Sequence, residues 1–167
     1  MTSLRRVLSD IFPECLVIGD KRPSYIRTFH RICSLEGISV VVIYRDCRDV
    51  VSSAIKKVAR EKLPGAYARG LDRPDVVAKN WVEAMRTLER YGDRENVHAV
   101  RYEDLVSCDE ETICQLGEFL NLDPAGFRKD ALHSSSVGKH LTGLSPVELQ
   151  QVLEVASGAL TDWGYSV

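Results

Sequence analysis

The run Ile38-Ser39-Val40-Val41-Val42-Ile43-Tyr44 constrains this chain more than any other stretch. β-Branched residues dominate it, and polar residues do not alternate with apolar ones. A strand of that kind needs cover on both faces, as a central strand of a parallel sheet has. A charged turn, Arg45-Asp46-Cys47-Arg48-Asp49, follows at once. It opens into a helix predicted from about Asp49 to Lys62.

The flanking periodicities extend this unit in both directions. Residues 2–11 carry Leu4, Val7, Leu8 and Ile11 at helical spacing, and Pro13 closes that helix. "CLVIG", 15–19, is a short apolar run predicted as a buried parallel strand. Residues 24–35 are predicted helical, with Ile26, Phe29, His30 and Cys33 on one face, Ser24 as cap and Gly37 as stop. "LPGAYARGLDRPD" breaks the periodicity and is predicted as a mobile surface loop. Residues 75–91 form an amphipathic helix striped by Val77, Trp81, Met85 and Leu88. "NVHAVRY", 96–102, is the third predicted strand. Three further helices follow. "CDEETICQLGEFLNL" has an acidic first turn, "DPAGFRKDALH" starts at Asp123-Pro124, and "LSPVELQQVLEVASGAL" is opened by Ser145, Pro146 and Glu148.

Strands alternating with helices imply βαβ units with right-handed crossovers. Ligands in such sheets lie beyond the carboxyl ends of the strands. Three strand exits are thereby singled out: "GDKRP", "YRDCRD" and "RYEDL". All three are rich in charge.

With 167 residues the chain suits one domain, 1–167, large enough to bury a core. Its net charge is −2, so no overall basic field favours nucleic acid, and anion binding must be local. Five cysteines show neither a C-x-x-C pair nor a zinc spacing, and no metal is expected. Their odd number argues against a disulfide scaffold. No signal peptide and no stretch of membrane-span length is found, so a soluble cytoplasmic protein is expected.

Two readings of "YRDCRDVVSS" stand level on the residues alone. In one, Asp46 or Asp49 caps the helix, Arg48 pairs with an acid, and Ser53 faces solvent. In the other, Arg45, a serine hydroxyl and the helix start form a phosphate cradle.

Residues 40–53, "VVVIYRDCRDVVSS", resemble the 3′-phosphate-binding segment of sulfotransferases that use 3′-phosphoadenosine 5′-phosphosulfate (PAPS). Those proteins have a strand, R-D-P-R-D, and a serine eight residues after the first arginine. Cys47 stands at the proline position. "RYEDLVSCDEETICQLGEFLNL" is similar to the family's "RYEDL…FLGL" segment. "SSSVGKHLTGLSPVELQQVLEVASGALTDWGY" resembles the carboxyl-terminal segment of bacterial-type members, and "GDKRPSYI" resembles their "G-[DE]-K-T-P-x-Y". Trp81 also falls where such proteins often carry tryptophan. The match spans residues 17–166 in family order.

The resemblance implies an α/β fold: a three-layer, P-loop-NTPase-like parallel sheet flanked by helices. It implies PAPS as sulfuryl donor, with Arg45, Ser53, Tyr102, Gly138 and Lys139 binding the cofactor and no metal. Asp20 is the implied base and Lys21 an implied catalytic cation. The acceptor would be a small molecule or glycan bearing a hydroxyl or amine. His140 and Leu141 depart from the tryptophan and arginine of relatives. The family's 5′-phosphosulfate loop, "P-R-S-G-T", has no counterpart here, so the chain is read as N-terminally truncated. That reading carries two expectations. One is a catalytically impaired, nucleotide-binding or interaction module as the alternative to an active enzyme. The other is self-association through an uncovered sheet edge.

Overall fold

The computed structural model describes residues 2–15, 17–62 and 65–167. Its centre is a two-stranded parallel sheet, β1 (Val40–Tyr44) beside β2 (Val97–Arg101). The register sets Val40 against Val97 and Tyr44 against Arg101. Both strands therefore end together, and Arg45 and Tyr102 leave the sheet side by side. Asn96 fixes the opposite end: its Nδ2 donates to the carbonyls of Cys33 and Ile38, and its own carbonyl accepts from Val40 N.

The crossover from β1 to β2 is made by α3 (Cys47–Glu61) and α4 (Pro74–Tyr91). These helices pack against α8 (Pro146–Asp162) on one face of the sheet. That face carries Val40, Val42, Tyr44 and Val97, as the two-residue period of a strand requires. The core there includes Val51, Trp81, Met85, Leu88, Val152 and Leu160. Each aliphatic side chain so buried contributes about 1.5–3 kcal/mol. The other face of β2 meets α6 (Glu110–Leu120), where His98 stacks on Phe119 at 5.0 Å between ring centres. Helix, sheet and helix layers are thus present. Ile43 on β1 remains 53% exposed, so its side of the sheet is uncovered among the described residues.

Several predicted elements take other forms. "CLVIG" is no strand: the backbone at 15 and 17–19 is irregular, Val17 is 52% exposed, and Leu16 lies outside the described residues. A parallel strand needs a neighbour to receive its hydrogen bonds. β1 pairs only with β2 among the described residues, so the sheet has two strands where three were expected. The predicted helix 24–35 is a 3₁₀ turn, Pro23–Thr28, followed by one α-turn, α2 (Phe29–Ile32). Ser24 does not cap it, and His30 is exposed while Phe29 and Cys33 are buried. The stretch after Asp123 is two 3₁₀ turns, Pro124–Gly126 and Lys129–Ala131, rather than one helix, and Asp123 caps the first by accepting from Ala125 N at 2.9 Å.

α1 (Thr2–Ile11) forms where predicted, yet Val7 and Ile11 are exposed. Leu4 falls outside the described side chains. Of the predicted loop at 63–75, Leu63 and Pro64 lie outside the described residues. The part after them contains a 3₁₀ turn, Tyr67–Arg69, next to a fully buried Ala66. Among the described residues, no helix is long and apolar enough to cross a membrane.

Candidate functional site

The sequence places Arg45 at the carboxyl end of β1, and the fold closes three segments around it. Its Nη2 pairs with Asp49 Oδ2 at 2.9 Å, one turn into α3, and also donates to the Ser136 carbonyl. Its guanidinium lies over the Tyr102 ring, 5.0 Å from the centroid. The arginine is thereby aimed by the start of α3, by the exit of β2 and by the 134–140 segment together. Trp81 fixes the strand end from α4, donating its indole N–H to the Arg45 carbonyl at 2.9 Å.

Asp49 joins these parts. It is 1% exposed, and beyond Arg45 it accepts from Gly138 N, His140 N and His140 Nδ1, each at 2.8 Å. Burial pushes its carboxyl up. The His140 bonds and the Arg45 bond outweigh burial, and the group ends below the ordinary aspartate value. Gly138 turns with φ +72°, a conformation that costs glycine nothing, and so brings the N–H groups of 138 and 140 to one carboxylate. The loop continues into α7 (His140–Gly143), which lies on α3. A Cβ at Gly143 would run into Ser52 Oγ and come within 2.6 Å of Lys56 Nζ, so a side chain there would make both of them shift.

A second network braces the exit of β2. Glu103, in α5 (Tyr102–Val106), accepts from Asp46 N at 3.1 Å and from Tyr165 OH at 3.0 Å. Burial and the Glu103 carboxylate push the Tyr165 hydroxyl far above its usual range, so it remains a donor. Asp46 caps α3 by accepting from Arg48 N at 2.8 Å, and its carboxylate also pairs with the Arg48 guanidinium. Cap and ion pair therefore coexist with the Arg45 cluster.

Of the residues singled out from sequence, Arg45, Tyr102 and Gly138 converge. Lys139 is exposed next to Gly138, and Ser53 is exposed one turn beyond Asp49 on α3. Asp20 and Lys21 form no hydrogen bond or ion pair with the cluster among the described residues. The Asp20 carboxylate accepts from the Tyr25 hydroxyl and pairs with Arg22 at 3.3 Å. The Tyr25 bond, against a smaller burial effect and helped by Arg22, holds its carboxyl below the ordinary value. Sequence reasoning missed Asp49 as the hub, Glu103 as the brace and His140 as its partner. The i, i+4 spacing of Arg45 and Asp49 was the available signal.

Arg45 Nε is buried and has no hydrogen-bond partner among the described residues. The guanidinium is held at the strand exit beside the Gly138 turn and the exposed Lys139.

Residues 4–125 match the sulfotransferase family, and the chain belongs to that family. The fold is similar to the solved sulfotransferase domain from the curacin biosynthetic pathway, with a TM-score of 0.66 at 20% sequence identity. That alignment covers 99% of this chain and 68% of the other. No protein of curated function matches the sequence.

Proposed function

We propose that the chain binds PAPS by its 3′-phosphate at the Arg45 cluster. It passes the sulfuryl group to a hydroxyl or amine of a small molecule or glycan. The carrying observation is an Arg45 guanidinium fixed at the strand exit by Asp49 while its side chain stays 16% exposed. Lys139 adds an exposed cation at the rim, and Ser53 a hydroxyl on the next turn of α3. Tyr102, under the guanidinium, borders the place where the adenosine would lie. Gly138 serves chiefly by its turn, because its N–H is spent on Asp49. The cofactor supplies the activated sulfuryl group. Transfer then requires a base for the acceptor proton and positive charge near the leaving oxygen. Asp20 and Lys21 are the candidates for those roles. The five free cysteines suit a reducing, cytoplasmic setting.

One observation favours a second reading, a nucleotide-binding module with impaired chemistry. Asp20 is already held by Tyr25 and Arg22, and its lowered pKa makes it a weak base.

Calorimetry with 3′-phosphoadenosine 5′-phosphate tests the binding. Arg45→Ala is expected to weaken it by about 10- to 100-fold, the worth of a charge-assisted contact. Equal affinity in the variant would sink the role of Arg45. Transfer of labelled sulfate to an acceptor by the purified wild-type chain, abolished in Asp20→Asn, separates the enzyme from the binding module.

A further inference from the structure

Asp49 carries two cationic candidates on one buried carboxylate. Arg45 Nη2 lies 2.9 Å from Oδ2, and His140 Nδ1 lies 2.8 Å from Oδ1. The three side chains are 16%, 1% and 12% exposed for Arg45, Asp49 and His140, so water screens them weakly. With a neutral imidazole the trio sums to zero charge. With an imidazolium it sums to plus one. An ionised Asp49 accepts the Nδ1 proton in either state, so the geometry survives the change and only the charge moves.

Two lysines also lie close to His140 among the described residues. Lys56 comes from α3, the helix that α7 packs against, and lies at Gly143, and Lys139 precedes the histidine. Asp49 is the carboxylate that faces the ring.

We propose that His140 is a positioning residue whose protonation, acting through Asp49 on Arg45, tightens anion binding at this site as pH falls. The inference rests on the proposed nucleotide site and adds its regulation. A neutral histidine leaves Asp49 to offset Arg45 alone. An imidazolium takes up part of that negative charge and leaves the Arg45 guanidinium freer to face a phosphate. Histidine is the side chain whose charge changes across the physiological range, which suits it to this coupling.

The test is calorimetry of 3′-phosphoadenosine 5′-phosphate with the full chain from pH 5.5 to 8.5. Wild type, His140→Gln and His140→Ala are compared at each pH. Protonation of the nucleotide's own phosphate affects all three proteins equally, so the difference between profiles is the readout. Wild-type affinity is expected to rise toward low pH by about tenfold more than that of either variant, the effect of one added charge at short range. His140→Gln retains an amide donor for Asp49 and is the variant expected to keep the native thermal unfolding profile. Profiles of equal slope in wild type and His140→Gln overturn the inference while leaving the nucleotide site intact. No binding by wild type at any pH overturns both the inference and the nucleotide site.

Discussion

Asp49 is the single residue on which the site's geometry turns. Replacement by Asn keeps the volume but removes the charge that balances Arg45. Breaking a buried ion pair in this way costs about 3 kcal/mol, and urea unfolding followed by circular dichroism is expected to show a loss of that size. The pH dependence follows from the lowered folded-state pKa. Unfolded aspartate titrates at about 3.9, so the contribution of Asp49 is complete above that value. It is lost as pH falls through the lower folded value. Wild type is therefore expected to lose stability on acidification more steeply than Asp49→Asn, and unfolding curves at pH 7 and pH 3 measure it. At this scale the sequence was half legible. Arg45 could be named from its strand exit, and Tyr102 through the family resemblance of its segment. The partners of Asp49 could not, because Gly138 and His140 lie about ninety residues away and only the fold brings them in.

Element by element, local chemistry was readable where it is self-contained. Ser145 and Glu148 form the reciprocal capping box expected of α8, with the Ser145 backbone N–H reaching Glu148 at 2.7 Å. Elements whose form depends on neighbours were not readable. An apolar run at 15–19 suits a strand but has no strand beside it among the described residues. Gly117 shows the same lesson within a helix. It lies in α6, where alanine is the better helix former by about 1 kcal/mol. A Cβ there would stand 2.7 Å from Pro124 Cγ and 3.0 Å from the Leu122 carbonyl oxygen. Proline and backbone cannot swing aside, and overpacking costs about 1–3 kcal/mol. Gly117→Ala is therefore expected to lower the melting temperature despite its helix propensity. A differential scanning measurement that finds it raised would contradict the packing seen here.

Across the whole molecule, the cysteines report the layering. Cys33 and Cys47 are buried, and burial with the Asp46 charge pushes the Cys47 thiol far above its usual range. Cys15 and Cys114 are exposed. A thiol reagent at neutral pH, read by mass spectrometry, is expected to label Cys15 and Cys114 in the native state. Cys33 and Cys47 should react only after unfolding. Rapid native labelling of Cys47 would mean that the start of α3, and with it the seat of Arg45, opens readily. By itself the sequence determined the α/β alternation, the parallel strand pair, the capping box of α8 and the charged strand exits. These rest on periodicity and on contacts within a few residues. The tertiary structure decided which charges meet: Asp49 between Arg45 and His140, Glu103 between Asp46 and Tyr165. A buried charge must find its partners wherever the chain happens to return, and that return is set by how α3, α4 and α8 pack on the sheet.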